Sequence, residues 1–365
     1  MSHILAFFKK PLVRNYANYL IVGFVTVVFS LLSVTGILKM GTQFLLEQIS
    51  IAVLLAVSLC MVVGFLGELS LGHAGFMCVG AFLGGKIAQV MTVAMGVSGN
   101  NILAFLLAML TGGLVAAAFG FIIGLPALRL RGDYLAIVTL AFGEILKNII
   151  GNLYVGMDAE GLHMSAVSAK FQLLEGGKML LDGPVGATGI TKISSFAMGY
   201  VLILFTLFVV LNLVNSKEGR AIKAVRDNRI AAESVGINVT AFRMKAFVVS
   251  AFLAGMAGVL FGLNMSSLAP AKFNFNTSIN ILVFVVLGGM GNILGSVISA
   301  TVLYILPEAL RELEDYRMIL YAIVLIVVML ATWSPKFKNL LDATTDTIKT
   351  KIKSVFRKKE VTDRG

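Results

Sequence analysis

The sequence predicts an all-α membrane protein, built as a polytopic bundle of transmembrane helices. Of its residues 58% are hydrophobic and only 13% are charged, whereas soluble domains are about one quarter charged. Many apolar stretches reach the ~20 residues that a helix needs to cross the hydrocarbon core of a bilayer. Glycine is frequent, with 37 residues, as expected where transmembrane helices pack closely against each other.

About ten apolar segments are predicted to span the membrane, within a range of eight to eleven. A helix satisfies its own backbone hydrogen bonds, as the lipid requires, so each continuous apolar run is a candidate span. The eighth and ninth segments are short and separated by glycines, so they are either full tilted helices or a broken, partly re-entrant pair. The predicted spans are 17–38, 44–66, 71–92, 101–127, 134–155, 194–215, 243–265, 277–290, 292–307 and 316–333.

The basic residues predict how the chain is threaded through the membrane. With ten crossings, four clusters of Lys and Arg fall on one side: the N-terminal segment 1–16, the loop after the fourth span, the segment after the sixth span and the tail 335–365. The positive-inside rule assigns that side to the cytoplasm. Both termini of the permease domain 17–334 are therefore expected in the cytoplasm. The net charge of +11 then reflects topology and predicts no nucleic acid partner.

Two connections are long. The extracytoplasmic loop 156–193 has no basic excess and includes a glycine-rich run, and loops of this length are often functional or disordered. The cytoplasmic segment 216–242 is too polar for lipid but rich in helix formers, with Gly236 well placed to end a helix in the left-handed conformation. One or two short amphipathic helices are expected there. They would either rest on the bilayer surface or dock a soluble subunit, and the lack of bulky aromatic residues before Phe242 favours docking.

A few polar side chains lie within apolar segments. Glu68, Ser70 and His73 join the second and third spans, and Glu144 and Lys147 lie three residues apart on one face of the fifth span. Charged groups in a membrane helix cost at least a few kcal/mol and usually face a cavity or a partner. Glu68, Ser70, His73 and Glu144 are therefore possible pathway or gate residues. The structural alternative, which we favour, is an ion pair between Glu144 and Lys147, or positions near the lipid headgroups. For His73 it is a hydrogen bond across a glycine-rich break.

No cofactor or metal site is predicted in this chain. Residues 80–86 imitate the start of a phosphate-binding loop, but Ile87 follows where a magnesium-binding Ser or Thr is required. Cys60 and Cys78 have apolar neighbours and are expected to be small buried side chains. If transport is active, a partner subunit or an ion gradient must therefore drive it.

Four segments of the sequence resemble the permease subunits of ABC importers for branched-chain amino acids, of the LivM type. They occur in the same order as in that family, at 67–76, 128–145, 219–238 and 280–295. There are three departures. Glu68 stands where the family often has Gln, residues 157–179 look like an insertion, and the C-terminal basic tail is longer than expected.

The resemblance implies a subunit that forms half of a transport pore in the bacterial inner membrane. Its partners would be a LivH-like permease, two cytoplasmic ATPases that bind ATP and Mg, and an extracytoplasmic solute-binding protein. The cargo would be branched-chain or similar small amino acids, and the segment 216–242 would couple this chain to the ATPases. The residues expected to carry that coupling are Gly219, Arg220, Arg226, Ala231, Ala232, Glu233 and Gly236.

Two other functions are compatible with a polytopic membrane protein. A secondary transporter driven by protons or sodium would place Glu68, His73 and Glu144 in the pathway. A membrane-embedded enzyme would need a cluster of catalytic side chains, and the three histidines of the sequence, His3, His73 and His163, are far apart along the chain. We therefore expect no enzymatic activity, and the secondary transporter is the alternative.

Overall fold

The computed structural model describes residues 40–94, 102–130, 132–158, 161–166, 178–188, 190, 196–265, 267–310 and 316–333. The predicted first span 17–38, the N-terminal segment 1–16 and the basic tail 335–365 lie outside these residues. The chain divides into two compact units, Met1–Tyr304 and Ile305–Gly365. In the second unit, the helix α11 covers Arg317–Trp333, at the position of the last predicted span.

Helices form most of the described chain, and each predicted span from the second onward coincides with one of them. Six of the described helices are long and apolar enough to cross a membrane, which agrees with a multi-pass bundle, while the total of about ten spans stays a prediction. The helices are α1 Met40–Cys60, which continues as a π-helical segment Met61–Leu66, then α2 His73–Ala94, α3 Ile102–Ala127, α4 Asp133–Gly151, α5 Phe196–Asn215, α6 Lys217–Asp227, α7 Arg229–Ser234, α8 Val239–Asn264, α9 Phe275–Leu287 and α10 Ile293–Ala309.

The core of the first unit forms around α8, which packs against α1, α2 and α3. Its side chains Phe247 and Leu253 are fully buried. Glycines allow the backbones to approach, because a Cβ placed on Gly80 of α2 would collide with the carbonyl oxygen of Gly255. Such contacts between small residues are the usual means by which membrane helices associate.

Short strands, which were not predicted from the sequence, accompany the helices of the bundle. Three of them form an antiparallel sheet in the order β2-β1-β3, with Val155 opposite both Met164 and Leu181. The sequence did not reveal them, because strands of two to five residues are too short to show a distinct alternating pattern. Most of them lie within the predicted extracytoplasmic loop. The strands are β1 Tyr154–Asp158, β2 Gly161–Ser165, β3 Lys178–Asp182, β4 Ala187–Thr188 and β5 Ser267–Leu268.

The segment 216–242 forms the two short helices α6 and α7 and the first turn of α8. Each of the three helices begins at a side-chain cap, because Ser216, Asn228 and Asn238 each accept the backbone N–H of the residue three positions later at 3.1 Å. Gly236, with φ of 84°, ends α7 as predicted. Its N–H and that of the next residue bond to carbonyls of the last helical turn, which is a Schellman motif.

The two ends of the first unit differ in character. One end, which we call the basic end, holds α6 and α7 together with the connections 67–72, 128–130 and 288–292. From there α8 runs through the core to β5, which pairs with β4. The glycine turn 288–292 joins α9 and α10 as separate helices, with positive φ at Gly289 and Gly291.

Candidate functional site

A buried arginine joins three parts of the basic end. Arg243, in the first turns of α8, is 4% exposed. Its Nη2 lies 2.5 Å from Oε1 of Glu68, and its guanidinium donates to the carbonyls of Leu128 at 2.5 Å and Leu130 at 3.3 Å. The guanidinium therefore caps the C-terminal end of α3 and anchors the connection between α1 and α2 through charge-assisted hydrogen bonds.

Glu68, a possible pathway residue by sequence, lies in this ion pair. Its side chain is 19% exposed. Burial raises the pKa of the Glu68 carboxyl, and the adjacent Arg243 guanidinium acts in the opposite direction. Sequence reasoning missed Arg243 as its partner. The available signal was that a charged residue stands at the start of an apolar predicted span, where it usually has a specific partner.

A second arginine, Arg226 at the end of α6, points towards the membrane bundle. Its Nη1 donates to the carbonyl of Gly64 in the π-helical segment at 2.7 Å. A Cβ placed on Gly67 would lie 2.8 Å from Cγ of Arg226, so the arginine stem covers that glycine. The same guanidinium lies beside Gly291 in the turn between α9 and α10. Sequence reasoning placed Arg226 among the coupling residues but did not predict these inward contacts.

An open cavity of about 480 Å³ separates α6 and α7 from the connections at the basic end. Its wall combines acidic, basic and apolar side chains. Three of its charged residues are Glu68, Arg243 and Arg226, which are described above. The lining includes Leu66, Glu68, Arg226, Ile230, Glu233 and Arg243.

The coupling residues predicted from sequence divide into two groups. Gly219 and Ala232 are buried, and Gly219 lies so close to the carbonyls at the end of α5 that no side chain would fit there. The others are exposed. Arg226 nevertheless reaches inward to Gly64, and the rest lie on the outer side of α6 and α7, namely Arg220, Ala231, Glu233 and Gly236.

Two exposed apolar side chains complete that outer side. Ile230 is 79% exposed and Val235 is 75% exposed, at the start and just after the end of the short helix α7. Arg229 and Glu233 form an ion pair between them at 3.1 Å. Because this segment is predicted from the sequence to dock a partner, we call Ile230, Glu233 and Val235 the docking surface. The sequence showed these apolar residues, but their exposure depends on which face of each helix packs against the bundle.

The predicted gate residues Ser70 and His73 lie deep in the first unit. The hydroxyl of Ser250 donates its one hydrogen to the carbonyl of Ser58 at 2.5 Å, so Nε2 of His73 must be the donor in its 2.9 Å contact with Ser250. This bond joins the start of α2 to α8, which fits the structural alternative for His73. Ser70 is fully buried, and its hydroxyl has no hydrogen-bond partner among the described residues.

Glu144 and Lys147 form an ion pair on α4. Their side chains are 33% and 20% exposed, so the pair lies at the surface of the first unit and not in its core. This contact is the one that the structural alternative requires. The pathway role of Glu144 stays a prediction, because a pair at this surface could also face a pore.

The structure identifies no metal centre in the part of the chain that it describes: no group of three His, Cys, Asp or Glu residues there could hold an ion. Cys60 and Cys78 are both free and buried. Residues 80–86, which imitate a phosphate-binding loop, lie within the helix α2. Their backbone N–H groups therefore belong to a regular helix.

Comparisons with known proteins agree with the resemblance noted above. The sequence model of a family described as the permease component of branched-chain amino acid transport systems matches residues 41–329. The high-affinity branched-chain amino acid permease proteins LivM of Salmonella typhimurium and Escherichia coli are each 32% identical over 306 residues, which is 81% of this chain and 69% of theirs. LivH of Salmonella typhimurium is 25% identical over 281 residues, which is 76% of this chain and 88% of its own. No solved structure matches the chain. This chain belongs to the family of permease components of branched-chain amino acid transport systems.

Proposed function

We propose that this chain is one transmembrane half of an ATP-driven importer for branched-chain or similar small amino acids. The second half would be a LivH-like permease. Two cytoplasmic ATPases would bind ATP and Mg, and an extracytoplasmic solute-binding protein would deliver the substrate. The basic end would face the cytoplasm, together with both termini, and the membrane would be the bacterial inner membrane.

The observation that supports this proposal is the docking surface. Ile230 and Val235 present large apolar side chains to solvent at the two ends of the short helix α7, which also carries charged residues. Apolar side chains within a polar rim are typical of a surface that a protein partner covers. The basic end is the side that the positive-inside rule assigns to the cytoplasm, where an ATPase would be found.

The helices α6 and α7 are suited to transmit a movement of a bound partner to the bundle. Two side-chain caps and the glycine at the end of α7 fix their ends. Ile222 and Val225 are buried and hold α6 against the bundle. When ATP draws the two ATPases together, such helices would move as rigid bodies and change access to the pore, as in other hinge and shear transitions.

Co-purification and uptake test the proposal together. A tagged chain, co-expressed with its proposed permease, ATPase and binding-protein partners, should retain both ATPases and support leucine uptake in proteoliposomes only when ATP is inside. Ile230→Asp combined with Val235→Asp should abolish ATPase association and uptake while membrane insertion is kept, because two charges then replace the apolar contacts. Leu130→Asp, on the same end but outside the docking surface, is the matched control.

Two results would contradict the importer. One is leucine uptake that continues after every ATPase is removed, which would support the ion-gradient transporter instead. The other is full ATPase association and uptake in the doubly substituted chain, which would place the contact elsewhere.

A further inference from the structure

We propose that Arg226 is the positioning residue that passes movement of α6 to the junction between α1 and the α9–α10 turn. This inference rests on the proposed function, since the movement would come from an ATPase. It concerns a contact inside this chain and not the docking surface itself. Three features of the basic end support it.

The first feature is the carbonyl to which Arg226 is bonded. The π-helical segment ends with the N–H groups of Gly67 and Glu68 both directed to the carbonyl of Val62. The carbonyl of Gly64 is thereby left to a donor from outside the helix, and Nη1 of Arg226 supplies it at 2.7 Å. Carbonyls at a helix C-terminus need such partners, and π-helical turns are frequent at functional sites.

The second feature is that two breaks in the bundle meet at this arginine. Gly64 and Gly291 are in direct backbone contact, because a Cβ placed on Gly64 would lie 2.6 Å from the nitrogen of Gly291. A Cβ placed on Gly291 would lie 3.5 Å from Nη1 of Arg226. Gly64 leaves no space for a side chain, and a Cβ on Gly291 would lie only 3.2 Å from the carbonyl oxygen of Gly64. The two backbones and the guanidinium are therefore in close contact, so a shift of the guanidinium acts on both backbones.

The third feature is that α6 does not need Arg226 in order to stay in place. Its apolar side chains Ile222 and Val225 are buried. Lys223 donates to the carbonyl of Val214 at 3.3 Å, and Glu218 pairs with Lys245 of α8 at 2.6 Å. Loss of the Arg226 contact should therefore leave α6 packed against the bundle. Only the transmission of its movement to the junction between α1 and the α9–α10 turn should be lost.

The test uses the complete importer in proteoliposomes, with ATP hydrolysis and leucine uptake measured in parallel. In Arg226→Gln, both ATPases should still co-purify and hydrolyse ATP, while uptake per ATP falls about tenfold or more, as expected when a charge-assisted hydrogen bond is lost. Arg226→Lys should restore part of the ratio, because an ammonium group can still donate to the Gly64 carbonyl. Lys217→Gln, an exposed site on the same helix, removes the same charge and should leave the ratio unchanged.

The outcomes separate this inference from the proposed function. Loss of ATPase association in Arg226→Gln would make Arg226 a docking residue and overturn the inference alone. An unchanged ratio of uptake to hydrolysis would overturn it as well. If the native chain retains no ATPase, the proposed function itself fails.

A native thiol at the junction gives an independent measurement. Cys60 is buried, and its sulfur lies beside Gly64, because a Cβ placed on Gly64 would lie 2.8 Å from it. In a Cys78→Ala chain, its reaction with N-ethylmaleimide should therefore differ between the nucleotide-free importer and the vanadate-trapped one. Arg226→Gln should abolish that difference while hydrolysis continues. The inference would be overturned if Cys60 in the native importer were labelled equally in the nucleotide-free and vanadate-trapped states. It would also be overturned if the Arg226→Gln importer still showed different labelling in the two states.

Discussion

At the scale of single residues, two arginines of the basic end use the same chemistry. Arg226 and Arg243 each donate to backbone carbonyls at the end of a membrane helix. A guanidinium suits this task, because it stays charged and presents several donors in a fixed plane. The two differ in burial, since Arg243 is 4% exposed whereas Arg226 keeps part of its surface in solvent. We therefore expect Arg243 to act in stability and Arg226 in coupling.

Replacing Arg243 tests whether this arginine acts in stability. Arg243→Ala leaves the Glu68 carboxyl buried without its charge partner and frees two carbonyls of the α3 end, so it should cost roughly 3–5 kcal/mol of stability. Glu68→Gln keeps an acceptor for the same guanidinium and should cost about 1 kcal/mol or less. Thermal unfolding of the purified chain in detergent measures both.

For this explanation to hold, Arg243→Ala must lower the stability of the chain more than Glu68→Gln does. A loss in Glu68→Gln as large as that in Arg243→Ala would mean that the charge on Glu68 is itself essential, as in a pathway role. Equal and small losses would mean that the pair contributes little to folding.

At the scale of helices, the contact between α2 and α8 depends on the absence of side chains. Gly80 and Gly255 touch through their backbones, and the neighbouring Gly258 of α8 is equally close to the backbone of Met77. A methyl group at these positions could be accepted only by moving a whole helix, because the atoms in the way belong to backbone.

Two alanine substitutions in α2 test this contact against a matched control. Gly80→Ala should destabilise the chain by about 1–3 kcal/mol or more, the usual cost of overpacking. Gly85→Ala lies in the same helix, but nothing is within 4 Å of the added Cβ. Its higher helix propensity, worth up to about 1 kcal/mol, should make it neutral or slightly stabilising.

The fraction of monodisperse protein after heating gives the measurement for both glycines. Similar losses in the two variants would show that α2 is sensitive to any added side chain. The close contact with α8 would then not be the cause.

The helices of this chain could be predicted because each depends on local sequence. Long apolar runs set the membrane helices, and caps such as Ser216 and Asn228 set the short ones. The contacts at the basic end could not be predicted, because Arg226 and Gly64 are 162 positions apart along the chain. Nothing in the sequence around either residue indicates the other as its partner. The sheet around Val155 was missed since its strands are short and lie in a polar loop.

At the scale of the whole molecule, the proposed function requires the two ends of the first unit to lie on opposite sides of the membrane. The basic end would be cytoplasmic, and the end with the strands would face the solute-binding protein. Val185, which is 54% exposed next to β4, marks one end. Lys217, exposed at the start of α6, marks the other.

Labelling of single cysteines with a membrane-impermeant maleimide tests this orientation. Val185→Cys should react in intact cells, because its end faces outward, and Lys217→Cys should react only in inverted vesicles. The parent chain is the control, because its native Cys60 and Cys78 are buried and should stay unlabelled in both. Labelling of Lys217→Cys in intact cells would reverse the orientation. The docking surface would then lie on the side that has no ATP, and no cytoplasmic ATPase could bind there.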